Sequence, residues 1–313
     1  MPRSELKLFS GTSHPELAKE IAKHLKVPVS KMLISRFACG EIYTKPESSV
    51  REDDVFIVQT ASGNVNEDLM ELFIMLDSLK RSFAGRLHVV MPHYAYSRQD
   101  RVATAREPIS AKLVADLIAA AGADHVIAMK LHSDQEQGFF DFPMDNVNTE
   151  KFFAKYFVAK KIKKLVVVSP DAGGAKDAKK FADLLHAKLA IIHKSRPEHN
   201  KSEVNHVVGE VDGMNCVIYD DMVDTAGSVT GALKALKERG AKDVFLCATH
   251  AVFSDPAVER LSKAGFKEVV VSNSIPLPKE KQFKGLKILS VAPLLANIIR
   301  NVYEGKSVTE AMR

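Results

Sequence analysis

The stretch Cys216-Val217-Ile218-Tyr219-Asp220-Asp221-Met222-Val223-Asp224-Thr225-Ala226-Gly227-Ser228 organises the reading of the whole chain. An apolar run over 216–219 predicts a buried strand, and the apolar spacing over 229–239 predicts a helix, so the segment reads as strand, loop and helix. Thr225, Gly227 and Ser228 would bring amides and hydroxyls to the helix N-terminus. There the helix dipole and the first-turn N–H groups favour a phosphate, and Ser228 is placed to cap the helix. Asp220, Asp221 and Asp224 would repel that phosphate, which makes sense only if their own partners are hydroxyl groups or a cation. One loop would then bind both ends of a sugar phosphate. The plainer alternative is an acidic turn followed by an ordinary Ser cap.

The same alternation extends outward in both directions. Short β-branched or apolar runs at 6–10, 55–59, 87–91, 126–129, 165–169, 244–248 and 269–272 read as strands. Helical patterns at 15–25, 67–81, 108–121, 175–186 and 257–264 separate them, with Pro108 at a first-turn position. Strands alternating with helices predict an α/β protein built on parallel sheets. Gly122-Ala123-Asp124-His125-Val126 leads to His132 with the same spacing by which Gly240-Ala241-Lys242-Asp243-Val244 leads to His250. Two similar halves follow as an expectation, with a boundary at 146–151, although two uses of a helix, glycine and strand connection would produce the same echo.

Composition narrows the class further. The 313 residues carry 46% hydrophobic and 27% charged side chains, so the chain has no compositional mark of disorder or of a fibre. The three cysteines, Cys39, Cys216 and Cys247, are widely spaced and contain no CxxC pair, which excludes a readable disulfide framework or zinc ribbon. No apolar run reaches a membrane-spanning length and the start of the chain lacks the pattern of a secretory leader, so the expectation is a cytoplasmic protein with no membrane partner. A formal charge of +5, not gathered into runs, suits a polyanionic small substrate, and no nucleic-acid partner is expected.

The loop at 220–228 resembles the ribose-5-phosphate loop of the type I phosphoribosyltransferase-like fold. The chain as a whole is similar to the phosphoribosyl pyrophosphate synthetases, the ribose-phosphate diphosphokinases. The likeness runs in order through Phe9-Ser10-Gly11, Ser35-Arg36-Phe37, Gly40-Glu41-Ile42, Ser49-Val50-Arg51, Asp54-Val55-Phe56-Ile57-Val58-Gln59 and Arg98-Gln99-Asp100-Arg101. It continues through Arg106-Glu107-Pro108-Ile109, Leu131-His132, Gln137-Gly138-Phe139-Phe140-Asp141 and Ser169-Pro170-Asp171-Ala172-Gly173-Gly174.

This resemblance implies two similar phosphoribosyltransferase-like domains, each a mostly parallel sheet flanked by helices. The first would span 1–147, with 290–313 packing back on it, and the second 148–289. The implied reaction moves the β,γ-diphosphoryl group of ATP to the C1 hydroxyl of ribose 5-phosphate and releases AMP, with Mg2+ required. Asp220, Asp221, Asp224, Thr225, Ala226, Gly227 and Ser228 would bind ribose 5-phosphate. His132 and Asp171 would be the metal ligands, the histidine acting through a bound nucleotide because magnesium prefers oxygen. The polar segment 193–205 would be a catalytic lid carrying Lys194 and Arg196. Phe37 and Glu41, from a neighbouring subunit, would meet the adenine, and Arg98, Gln99 and Asp100 the rest of the ATP. Read without the resemblance, Phe37 would be core and the lid cations solvated surface charges.

The resemblance also implies a homohexameric ring of dimers and a regulatory anion site for phosphate or ADP, made from Ser49, Arg51, Arg106, Ser307 and Thr309. The chain departs from the family pattern in a few places. Cys39 stands where an acidic or amide residue is usual, Ser195 replaces a lid cation, and Val102 and Thr104 stand where the loop after Arg101 is usually basic. These two positions predict weaker anion regulation. A regulatory or inactive synthetase-associated subunit is the alternative, whose mark would be loss of the metal, lid or sugar-phosphate residues.

Overall fold

The computed structural model describes residues 4–195 and 204–312. It divides into two units, one running to Asn148 and taking back Ser274–Pro276 and the chain from Ser290 onward, the other made of Thr149–Asn273 and Leu277–Leu289.

In the first unit the order is β1 (Leu6–Ser10), α1 (Pro15–Leu25), β2 (Met32–Arg36), β3 (Ile42–Pro46), β4 (Asp54–Val58), α2 (Val65–Arg81), β5 (Arg86–Met91), α3 (Ser110–Ala121), β6 (His125–Met129) and β7 (Met144–Val147). The main sheet is ordered β1-β4-β5-β6-β7 and is parallel throughout, while β2 and β3 form a separate antiparallel hairpin. β4 and β6 are buried at every position, as strands covered on both faces must be. Leu69, Leu72, Met75, Leu76 and Leu79 line the inward stripe of α2 and pack on Val55, Ile57 and Val89.

In the second unit α4 (Glu150–Ala159), β8 (Leu165–Ser169), α5 (Ala175–Leu184), β9 (Lys188–Ser195), β10 (Val204–Val208), β11 (Asn215–Val223), α6 (Gly227–Glu238), β12 (Val244–Ala251), α7 (Ala257–Ala264), β13 (Glu268–Ser272) and β14 (Leu286–Leu289) follow. Its seven-stranded sheet has the order β10-β9-β8-β11-β12-β13-β14, with only β10 antiparallel to its neighbour. Val229, Ala232, Leu233 and Leu236 of α6 cover one face, while Phe157 and Phe181 from α4 and α5 cover the other. The chain then gives α8 (Ala292–Tyr303) and α9 (Val308–Ala311) to the first unit. There α8 packs on α1, with Arg300 donating to the His24 carbonyl at 2.8 Å and Tyr303 Oη to the Ser4 carbonyl at 2.7 Å.

Four expectations need correction. The helix expected from Pro108 starts at Ser110, because Ile109 keeps non-helical dihedrals and is its N-cap. Ser228 is not a cap: α6 begins one residue earlier at Gly227, and Ala226, in a left-handed conformation with φ 61°, is the N-cap. The strand expected to stop at Tyr219 runs to Val223, because Asp220, Met222 and Val223 pair with Ala248, His250 and Ala251 of β12. Finally, 193–195 and 204–205 belong to the paired strands β9 and β10 rather than to a loop.

Candidate functional site

In a parallel α/β sheet the loops after the strand C-termini collect the chemistry, because helix N-termini and strand ends meet there. In the second unit β8 and β11 are neighbours with Val168 beside Ile218, so the turn after Ser169 and the acidic end of β11 leave the sheet side by side. Asp171 is fixed in its turn: its Oδ1 accepts the Gly174 N–H at 3.0 Å, and its carbonyl accepts the Ser169 hydroxyl at 2.7 Å. The Asp221 N–H donates to Asp220 Oδ1 at 2.9 Å, and the Met222 N–H to Asp221 Oδ1 at 2.7 Å. Burial pushes the Asp220 carboxyl well above its ordinary range, and the charges of Asp221 and Asp171 push it further. Three carboxylates therefore converge where one of them resists ionisation, an arrangement that an added cation or hydroxyl donors would relieve.

Asp224, Thr225 and Ala226 turn the chain from β11 into α6. The first helical bond is from the Thr230 N–H to the Ala226 carbonyl at 3.1 Å, so the amides of Gly227, Ser228 and Val229 precede it at the helix N-terminus. Arg260 of α7, which the sequence did not single out, donates from Nη1 to the Thr225 carbonyl at 2.9 Å and braces the turn from outside. A Cβ built on Gly227 would lie 3.5 Å from that Nη1 and 3.9 Å from Thr225 Oγ1, ordinary contacts. Glycine is thus not required there by packing or by backbone strain. What it leaves open is the approach to the amides.

In the first unit β5 and β6 are likewise adjacent and parallel, with Met91 beside Ala128. The chain after β5 carries Arg98, Gln99 and Asp100, and the chain after β6 carries His132. The Gln99 carbonyl accepts the Ala111 N–H at 3.2 Å and its Oε1 accepts the Ser110 hydroxyl at 2.6 Å, tying this turn to the start of α3. Arg98 and Gln99 face solvent, as does His132. Ser97 and Glu136, neither anticipated as functional, are buried between these segments, and burial pushes the Glu136 carboxyl up to about 7. The Ser133-x-x-Glu136 spacing of a capping box was the signal available for Glu136.

Phe37, Cys39 and Glu41 lie at the turn of the β2–β3 hairpin, where the Phe37 N–H donates to the Glu41 carbonyl at 2.9 Å. Phe37 is 56% exposed and meets Tyr43 edge-on, so it is not a core residue. Ser49 and Arg51 lie before β4, with the Arg51 guanidinium 4.9 Å above the Phe83 ring. Arg106, in a left-handed conformation, belongs to an exposed loop in which Glu107 Oε2 accepts the N–H groups of Ala103 and Thr104. Ser307 is the N-cap of α9 and Thr309 lies within it. These five belong to one unit but come from three separate segments of it. Lys194 stands at the end of β9 opposite Asn205. Arg196 lies outside the described residues.

The metal expectation can be tested on donor chemistry. Among the described residues no three His, Cys, Asp or Glu side chains are arranged to hold a metal ion by themselves. Magnesium rarely takes an all-protein cage, being bound through one or two carboxylates with phosphate oxygens and water completing its shell. The fixed carboxylate of Asp171 suits that mode, whereas the imidazole of His132 is a poor donor for magnesium. Among the described residues no helix is long and apolar enough to cross a membrane.

Residues 6–122 match the N-terminal domain of ribose phosphate pyrophosphokinase, and residues 198–313 match the phosphoribosyl synthetase-associated domain. The chain is 50% identical to a ribose-phosphate pyrophosphokinase of Fusobacterium nucleatum over 98% of both chains. It is also 50% identical to one of Bacillus caldolyticus over 97% of both. Among solved structures, the phosphoribosylpyrophosphate synthetase from Mycobacterium smegmatis superposes with a TM-score of 0.92 at 47% identity, covering 96% of this chain and all of that one.

Proposed function

The chain belongs to the ribose-phosphate pyrophosphokinase family, and from that premise we propose that it makes 5-phosphoribosyl 1-pyrophosphate by transferring the β,γ-diphosphoryl group of ATP to the C1 hydroxyl of ribose 5-phosphate. The observation that carries this reading is the segment from Asp220 to Ser228, an acidic strand end running into a helix N-terminus beside Asp171. The first amides of α6, with the hydroxyls of Thr225 and Ser228, take the 5-phosphate, and Ala226 and Gly227 allow its close approach. Asp220, Asp221 and Asp224 accept hydrogen bonds from the ribose hydroxyls, which fixes the C1 hydroxyl for attack.

ATP is held by Arg98, Gln99 and Asp100, with the adenine against Phe37 and Glu41 of a neighbouring subunit in a homohexamer. The exposed hairpin tip that carries Phe37 supports this contribution. When bound at Asp171, with His132 acting through the nucleotide, Mg2+ would supply positive charge to the phosphate oxygens. Lys194 and Arg196 add charge where it develops on the migrating group, since such transfers depend on positioning and electrostatics rather than a covalent relay. Phosphate or ADP would act at Ser49, Arg51, Arg106, Ser307 and Thr309, and the setting is cytoplasmic. Incubating the purified chain with ATP, magnesium and ribose 5-phosphate tests the reading: AMP and the pyrophosphorylated sugar should accumulate together. Release of ADP or phosphate without that sugar would overturn it.

A further inference from the structure

Arg98, Gln99 and Asp100 lie on the segment after β5 and His132 on the segment after β6, and the two segments must be held in register for these side chains to act together. One buried carboxylate joins them. Glu136 is fully buried in the short 3-10 turn Asp134–Phe139. Its Oε1 accepts the Ser133 N–H at 2.8 Å, completing the capping box of that turn. Both of its oxygens also lie 2.8 Å from the hydroxyl of Ser97, the residue immediately before Arg98. Ser97 Oγ in turn accepts the backbone N–H of His132 at 3.0 Å. The hydroxyl has one proton to give and gives it to the carboxylate, so its lone pairs are left for the His132 amide. The order Glu136, Ser97, His132 is therefore directional.

A capping box alone would need neither Ser97 nor burial. Seating an acid in apolar surroundings is costly unless its acceptor capacity is used, and here that capacity is used on the two segments leaving β5 and β6. Glu136 and Ser97 are 0% and 5% exposed, which leaves solvent little room to substitute.

We propose that Glu136, acting through Ser97, is a positioning residue that locks the Arg98–Gln99–Asp100 turn and the His132 segment into one ATP-binding arrangement. The inference rests on the ATP reading of those residues. It predicts a substrate-selective defect, because the ribose-5-phosphate loop belongs to the other unit. Replacing either partner breaks the same link between the two segments, so a second replacement adds little to the first.

Initial rates of the full chain with ATP, magnesium and ribose 5-phosphate, together with thermal melts, test this in Glu136→Leu, Ser97→Ala, the double variant and Arg98→Ala. Each of the two single variants in the pair should raise KM for ATP by about tenfold. KM for ribose 5-phosphate should change less than twofold, and the double variant should be no worse than the more affected single variant, because either replacement already breaks the link. Ser97→Ala, the smaller change, keeps the test usable if Glu136→Leu fails to fold. Effects on ATP that simply multiply in the double variant, or equal rises in KM for both substrates, would overturn the proposal. If Arg98→Ala leaves KM for ATP unchanged, the ATP reading itself fails and the proposal falls with it. If Arg98→Ala raises KM for ATP and the Ser97 and Glu136 variants do not, the proposal fails alone.

Discussion

Replacing His88 by Asn should remove an acid sensitivity that the fold builds into the first unit. His88 sits in β5, 3% exposed, with its ring stacked on Phe56 at 4.3 Å. Its Nδ1 lies 3.1 Å from Nδ1 of His125, whose Nε2 lies 3.0 Å from Asp145 Oδ2. The Asp145 carboxylate needs a donor, so neutral His125 carries its proton on Nε2 and offers Nδ1 as acceptor. His88 then donates from Nδ1, and its Nε2, which has no hydrogen-bond partner, keeps a bare lone pair. Asp54 is 3.8 Å from that Nε2 but is already engaged by Arg86 through bonds of 2.6 and 2.8 Å.

Burial, and then the neighbouring His125, push His88 down from 6.5 to about 4. The unfolded imidazole gains its proton near 6.5 and the folded one only near 4, so this contribution is fully present above pH 6.5 and is lost as the pH falls toward 4. At pH 5 the loss amounts to about 2 kcal/mol. Glu136 and Asp68, raised to about 7 and about 6, act with the opposite sign, so the wild-type curve alone does not isolate His88. His88→Asn keeps a hydrogen-bonding group at the Nδ1 position and loses the titration. Its packing cost is the same at every pH. Thermal melts at pH 8 and pH 5 should show the gap between wild type and variant narrowing by roughly 4 to 8 °C on acidification. A gap independent of pH would refute the reasoning.

Other outcomes follow from the site. Gly227→Val should weaken ribose-5-phosphate binding at least tenfold by calorimetry with little change in melting temperature, because its Cβ meets only ordinary contacts and what it covers is the approach to the amides. Lys194→Ala should lower kcat by roughly a hundredfold while KM for ribose 5-phosphate stays within a few-fold, as steady-state rates would reveal. Val102→Lys with Thr104→Arg should make activity more responsive to inorganic phosphate at constant ionic strength. Both side chains face solvent, so the added cations bury no charge.

How legible the fold was depends on where the deciding contacts lie. The strands at 6–10 and 165–169 coincide with the runs that predicted them: 165–169 is nearly continuous Leu and Val and buried from Val166 on, and 6–10 turns Leu8 and Phe9 into the core. The last four residues of β11 were not legible, since Asp220 and Asp221 read as loop and only the partner strand β12 makes them strand. His132 and His250 share a spacing from glycine but not a fate: β12 is long enough to bury His250, whereas β6 ends before His132. The sugar-phosphate loop was readable because its chemistry is contiguous in sequence. The pairs Ser97–Glu136 and His88–His125 join distant segments and carry no local signal beyond one capping box.

The most direct test of the synthesis itself follows phosphorus. With ATP, magnesium and ribose 5-phosphate, phosphorus NMR should show the β and γ phosphorus atoms of ATP leaving together and reappearing as a coupled pair on the sugar, with one AMP formed for each. ADP as the nucleotide product, or a single phosphorus on the sugar C1 oxygen, would contradict the account.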